Sequence, residues 1–217
     1  MNDEPVPAPR RRSKETRPQE LLDAALTLFV EKGFAATRTD EVARLAGVSK
    51  GTLYLYYPSK EELFKAVVRH NLVSLIEEGL EIARQFTGTS SELLAHLMNT
   101  WWERVGNKPS AGIHKVVLAE VRNFPELAQF YSDEVINPAN RLFGGTVERG
   151  IASGEFRPMP VHEVVHALMA PMIFMALNRH SFGACPVRGR QNVDPLLMIQ
   201  THLDLVLRGL EPRLPVS

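Results

Sequence analysis

The chain has 217 residues, 44% of them apolar and 23% charged, with 25 Lys and Arg against 25 Asp and Glu. That is an ordinary globular balance, long enough to bury a core, which excludes a wholly disordered chain; zero net charge excludes polyanion binding by bulk attraction. The lone Cys185 excludes an intrachain disulfide and makes a reducing compartment the expectation.

Residues 1–16 hold three prolines and no apolar periodicity, so a disordered arm is expected. Arg10, Arg11, Arg12, Lys14 and Arg17 crowd this end against one acid, Glu15. Such a cluster suits contact with DNA phosphates or the minor groove, or is a solvated leader. MNDEPVPAPRRR carries no apolar h-region, so no secretory signal is expected. The longest apolar run, 167–177, is too short to span a bilayer and holds Pro171. A cytoplasmic protein without a membrane partner is the expectation.

A first helix is predicted from about Pro18 to Lys32, with Pro18 suited to its first position and Gly33 closing it. Leu22, Ala25, Leu26, Phe29 and Val30 recur on one face, and Phe34 should pack beneath the next two helices. Thr39 is an N-cap candidate, with Asp40 and Glu41 in the first turn where the helix dipole favours acid. Gly47 sits where a helix stops in a left-handed residue. Ser49 caps a second short helix over about 50–56, ended by Pro58, and Ser59 with Glu62 offers a capping box for the next. Two short helices across a Gly-containing turn form a helix-turn-helix, whose second helix enters the major groove.

Spacing assigns Val42, Leu45, Val48 and Leu53 to the core. Lys50, Thr52 and Tyr54 should face outward. Thr52 suits a base edge or thymine methyl, and Lys50, Tyr54, Tyr56 and Lys60 suit phosphates. Gly51 costs roughly 1 kcal/mol against Ala inside a helix, which reads either as a site of close approach to DNA or as simple tolerance in a first turn. Tyr54 and Tyr56 read equally as half-buried packing.

The run Ala46-Gly47-Val48-Ser49-Lys50-Gly51-Thr52-Leu53-Tyr54-Leu55-Tyr56-Tyr57, followed by Pro58-Ser59-Lys60, closely resembles the DNA-binding motif of the TetR family of transcription regulators. Tyr57 stands where Phe is usual and keeps the ring. The ungapped match runs from Arg17 to Leu63; beyond it the likeness is one of general plan. The resemblance implies DNA contacts near Thr37, Thr39, Ser49, Lys50, Gly51, Thr52, Tyr54, Tyr56 and Lys60. It also implies an all-α fold: a helix-turn-helix DNA-binding domain over 17–62 and a helical ligand-binding and dimerisation domain over 63–210, about nine helices together.

A fourth helix is predicted over about 60–86, roughly 40 Å of rod joining the two units. Leu63, Val67, Leu72, Leu75, Ile76, Leu80 and Ala83 form its stripe. It reads as a carrier of movement or as a spacer. Further helices are expected at about 91–105, 110–122, 125–153, 161–180 and 193–208, with Asn137-Pro138 kinking or splitting the third of these. No segment alternates as a strand.

Large soft side chains in this body, Trp101, Trp102, Phe143, Met172 and Met175 among them, read as plain core or as the lining of a pocket for a small apolar or amphipathic ligand. His114, Glu120 and Asn178 are the candidate polar groups. The segment 168–177 is apolar all round and needs cover on two sides. In TetR-like proteins the last two helices form a four-helix dimer interface; a homodimer here would place two reading helices on a pseudo-palindromic operator in double-stranded DNA.

His162-Glu163-Val164-Val165-His166 matches the zinc-protease pattern H-E-x-x-H and is the rival reading, a zinc-dependent hydrolase. The metzincin continuation fails at Met169 and Met172, and no carboxylate helix follows; Asp194 and His202 are the nearest other ligand types. No phosphate loop or nucleophile triad is visible, so neither an enzyme, a cofactor nor a resident metal is expected. The preferred reading is a sequence-specific, ligand-released transcriptional repressor.

Overall fold

The structure, a computed structural model, describes residues 17–185 and 193–212. The basic arm of 1–16 lies outside them. The described residues form helices α1 (Arg17–Lys32), α2 (Thr39–Leu45), α3 (Lys50–Tyr56), α4 (Lys60–Val68), α5 (Ser74–Gln85), α6 (Ser90–Trp101), α7 (Gly112–Glu120), α8 (Pro125–Tyr131), α9 (Asn137–Ala152), α10 (Val161–Arg179) and α11 (Pro195–Leu210). Counted through the π-helical turns that join α4 to α5 and α8 to α9, these make nine continuous helices, and no strand occurs among the described residues.

Chain punctuation sets the first four helices. Gly33 and Gly47 take φ of 86° and 68°. At Gly47 the chain closes α2 with a Schellman pair, Gly47 N–H to Arg44 O and Val48 N–H to Ala43 O. The N-cap of α2 is Arg38 rather than Thr39, and no side chain caps it. Ser49 caps α3 by accepting from Thr52 N, as expected. Ser59 caps α4 by accepting from Glu62 N, while Glu62 pairs with Lys65.

The core of this bundle buries Leu21, Leu28, Phe29, Phe34, Val42, Leu53 and Phe64. The face of α1 is centred one residue before the predicted one: Leu26 and Val30 are only partly buried. Leu45 is 55% exposed rather than core, because the seven-residue α2 turns only Val42 and Ala43 inward.

The predicted 60–86 rod exists, but residues Arg69–Val73 wind as a π turn. The side chains of Asn71 and Ser74 donate to the Val67 and His70 carbonyls there. A second π turn, Ser132–Ile136, precedes Pro138, which the preceding turn accommodates without splitting the helix. Such turns often mark functional positions. Pro171 likewise does not interrupt α10, which by length and composition alone could cross a membrane. Instead α10 packs against α7, α9 and α11, and at the proline His202 of α11 donates from Nε2 to the Leu168 carbonyl at 3.1 Å.

Two apolar clusters organise the packing. One begins in the amino-terminal bundle and continues without a break into Leu72, Ile113, Val117, Phe130 and Val135; the other joins α6, α9, α10 and α11. The joint between bundle and body is tight. Phe124 meets Phe34 edge-on with ring centroids 4.8 Å apart, the Glu120 carboxylate accepts from Ala35 N at 3.0 Å, and Lys115 Nζ donates to Val30 O at 2.9 Å. Gly112 permits this: a Cβ there would lie 2.7 Å from Val30 Cγ2.

Candidate DNA-reading surface and ligand cavity

The outer side of α3 carries Lys50, Gly51, Tyr54 and Leu55, all exposed, with Thr52 half-buried at its edge. The cap geometry pins the start of this helix: Ser49 Oγ lies 2.9 Å from Thr52 Oγ1 as well as accepting from its backbone. Tyr54 is held from the other side, its hydroxyl 2.9 Å from Thr39 Oγ1 at the first turn of α2, and Lys50 Nζ stands 5.8 Å above the Tyr54 ring. Thr39, Ser49, Lys50, Thr52 and Tyr54 thus form one pre-set polar patch with Gly51 in its middle. The Gly51 backbone is open to approach, since a Cβ there would meet only Ser49 Oγ, at 3.8 Å.

Three residues named from the sequence lie differently. Thr37 is 2% exposed and donates to the carbonyls of Leu28 and Gly33, closing α1, so its side chain is scaffold. Lys60 donates to the Phe34 and Ala35 carbonyls at 2.9 and 3.1 Å and lies 4.5 Å over the Phe34 ring, so two of its three donors are occupied inside the fold. Tyr56 is half-buried against the first core cluster. Sequence spacing missed Leu55, 81% exposed one turn beyond Thr52. An apolar side chain unburied on a reading helix is the signal that would have found it.

Behind this bundle the body holds a cavity of about 700 Å³, open on one side and lined by α5, α6, α7, α8, α9 and α10. Trp101, His114 and Phe143 line it as expected. Trp102, Met172 and Met175 do not: the first two are buried and the third half-buried, all in the cluster joining α6, α9, α10 and α11. Glu120 serves the joint to Ala35, and neither it nor Asn178 reaches the cavity wall. No Asp, Glu, Lys or Arg is among the described lining residues. A third π turn, Trp102–Gly106, follows α6, and all three touch the space, through Leu72, through Val105 and through Val135 and Ile136.

Within this apolar wall sits a buried polar pair, which sequence reasoning half found. His114 Nδ1 lies 2.6 Å from the Tyr131 hydroxyl, and His114 Nε2 is buried without a partner. Burial, with His180 adding to it, pushes the imidazole down to about 4, and burial pushes the Tyr131 phenol up, so both are neutral near pH 7.

His162 and His166, both exposed on α10, meet edge-on with ring centroids 4.3 Å apart, and His166 also lines the cavity. Among the described residues no group of three His, Cys, Asp or Glu is placed to hold a metal, and His202 is engaged with Leu168. The zinc-hydrolase reading finds no support in this arrangement.

The family model of bacterial regulatory proteins of the tetR family matches residues 21–67, and that of the tetracyclin repressor-like C-terminal domain matches 86–183. The HTH-type transcriptional repressor KstR2 of Rhodococcus jostii is 30% identical over 207 residues, 95% of this chain and 97% of that one. Two solved structures share the fold, each at 21% identity and TM-score 0.69. One, a transcriptional regulator FadR from Bacillus subtilis in complex with stearoyl-CoA, covers 89% of this chain and 99% of its own; the other, the ketosteroid transcriptional regulator KstR2 of Mycobacterium tuberculosis, covers 93% and 98%.

Proposed function

We propose, for a chain that belongs to the TetR family and is a ligand-responsive DNA-binding transcriptional regulator, that it is a cytoplasmic repressor released from a pseudo-palindromic operator when a long apolar ligand fills the cavity. One observation carries this: the cavity is bounded by segments that also touch the reading bundle, the Leu72 turn, α7 and α8. A ligand pressing on Val117, Leu118 or Val121 pushes on the helix whose Glu120 holds Ala35, in the loop that leads into α2. The volume lies within the roughly 300–1,000 Å³ usual for small-molecule sites. The uncharged wall favours an acyl chain or a fused-ring hydrocarbon body, and any charged head stays outside.

On the DNA, Lys50 and Tyr54 take phosphates, with Ser49 and Thr39 holding the start of α3 and the Tyr54 hydroxyl in place. Gly51 lets the backbone close in, and Thr52 and Leu55 face base edges and thymine methyls. Two copies are needed for a palindrome, and their half-sites fall about 34–36 Å apart. Phe174 of α10 and Leu196, Leu197 and Leu205 of α11 are each more than half exposed, an uncovered apolar surface on the last two helices that suits a two-fold interface.

The test is a pair of titrations with stearoyl-CoA. Thermal unfolding should shift upward, and affinity for an operator selected from random DNA should fall. A ligand that leaves both unchanged overturns the ligand half. A protein that selects no sequence at all overturns the DNA half.

A further inference from the structure

We propose that His114 is the polar anchor of the cavity, donating its Nε2–H to a carbonyl oxygen (ketone, ester or thioester) in an otherwise apolar, uncharged ligand segment. This deepens the reading of the cavity as a ligand site and rests on it.

A buried ring nitrogen with no partner calls for an explanation, because buried polar groups are almost always satisfied. His114 is 7% exposed, lines the cavity and has its ring centroid 5.9 Å from that of Trp101, which also lines it. Its other nitrogen is taken by Tyr131 at 2.6 Å.

Two tautomers are conceivable. If Nδ1–H donated to the phenol oxygen, the phenol proton and the bare Nε2 would both lack partners. If the phenol donates to Nδ1, only Nε2–H is left over. The second arrangement leaves one unmet group instead of two and is preferred. Tyr131 is therefore a positioning residue: it leaves Nε2 as the hydrogen-bond donor of a ring that lines the cavity.

The chemistry of the missing acceptor follows from the wall. With no Asp, Glu, Lys or Arg among the described lining residues and the His114 imidazole neutral, a carboxylate or ammonium buried beside His114 would be left without a counter-charge. A ligand hydroxyl would accept the bond but bring a donor of its own, which only Thr100, Asn140 or His166 of the wall could meet. A carbonyl oxygen only accepts, so it completes the pair and adds no new demand.

The experiment compares 2-decanone, its methylene isostere 2-methyl-1-decene, and decanoate at pH 7.5, binding being read from Trp101 fluorescence. The ketone is expected to bind about tenfold tighter than either, the effect of one neutral hydrogen bond that also relieves an unmet donor. His114→Leu should weaken the ketone about tenfold and leave the alkene unchanged; Tyr131→Phe should remove part of the preference. In wild-type protein labelled with 15N histidine, the Nε2–H signal should move on adding ketone and stay on adding alkene, a readout independent of whether either variant folds. Equal binding of ketone and alkene overturns the anchor while leaving the cavity reading intact. Tightest binding of decanoate overturns the uncharged class. Failure of all three to bind overturns both readings.

Discussion

Arg69 and Glu134 lock the π turns 69–73 and 132–136 together: Arg69 Nε and Nη2 reach the two carboxylate oxygens at 2.7 and 2.6 Å, with the guanidinium 5.0 Å over the Phe130 ring. The guanidinium holds the Glu134 carboxyl below its ordinary range, and the carboxylate raises Arg69 in turn. Leu72 in one turn and Val135 and Ile136 in the other face the cavity, so whatever fills that space acts on both sides of the clasp. Arg69→Ala or Glu134→Gln is expected to change stability by less than about 1 kcal/mol, because both side chains are a third to a half exposed. The coupling should suffer more: the ratio of DNA affinities without and with stearoyl-CoA should fall at least about threefold. An unchanged ratio in anisotropy titrations would show that the clasp carries no signal.

Gly51 separates folding from reading. A Cβ there meets nothing closer than Ser49 Oγ at 3.8 Å, and φ is not in the left-handed region. Gly51→Ala should therefore stabilise the free protein by about 0.4–1 kcal/mol, mainly by restricting the unfolded chain. If DNA approaches this backbone closely, the same change should weaken operator binding about tenfold or more. A urea midpoint that rises while affinity holds would place Gly51 outside the contact.

The reading motif was legible because glycines, prolines and caps mark it: Gly47 and Ser49 fix both ends of the turn by backbone rules that act over five residues. Leu45 and Thr37 misled for opposite reasons. A helix as short as α2 gives too few positions to define a face, and a threonine hydroxyl that satisfies two carbonyls at the end of α1 looks the same in sequence as one turned to solvent. The first π turn left one mark that was not used: the predicted stripe steps five residues from Val67 to Leu72, where an α-helix steps three or four. The cavity was visible only in bulk composition. Trp101 lines the cavity while its neighbour Trp102 is buried in the second cluster, and the partner of His114, Tyr131, lies 17 residues away on another helix.

Acid should test the burial of His114 directly. Its folded-state value of about 4 lies below the ordinary 6.5, so between those pH values the unfolded chain binds the extra proton and the native state does not. The stability that comes from keeping this imidazole neutral is complete above about pH 6.5 and is lost as pH falls towards 4, by at most roughly 3 kcal/mol. Carboxylates whose values are lowered, such as Glu155, Glu134 and Glu92, lose their contributions lower still. Chemical unfolding of wild type and His114→Gln across pH 4–7.5 isolates the histidine: the two curves should converge as pH falls. Parallel curves would mean that the site opens to water.

The apolar face of α11 is tested by charge. Leu197 and Leu205 are 61% and 66% exposed and lie two turns apart, on the side away from buried Ile199 and Leu203. Leu205→Glu removes nothing from the core and should leave the monomer as stable within about 0.5 kcal/mol. In a two-fold interface the new carboxylate meets uncovered apolar surface, so light scattering should report a monomer, and operator affinity should drop because one reading helix alone remains. A dimer that survives the substitution would move the interface elsewhere.

The joint between body and reading bundle makes the most specific demand. Gly112 begins α7 against Val30 of α1, and a Cβ there would fall 2.7 Å from Val30 Cγ2, a separation that real Cβ atoms do not adopt. Val30 is branched at Cβ and has few rotamers in a helix to give way with, so α1 and α7 must part. Gly112→Ala should cost about 1–3 kcal/mol as overpacking. Its second effect distinguishes a joint from a mere contact. Parting α7 from α1 strains the bond from Glu120 to Ala35 N and the edge-on Phe34–Phe124 contact, the same contacts that a ligand pressing on Val117 and Val121 would strain. Operator affinity without ligand should therefore fall towards the liganded value, and stearoyl-CoA should add little further. Val30→Ala in the same chain should restore both, since it removes the two methyls that the new Cβ strikes. If affinity stays at the wild-type level while stability drops, α7 supports the bundle without steering it.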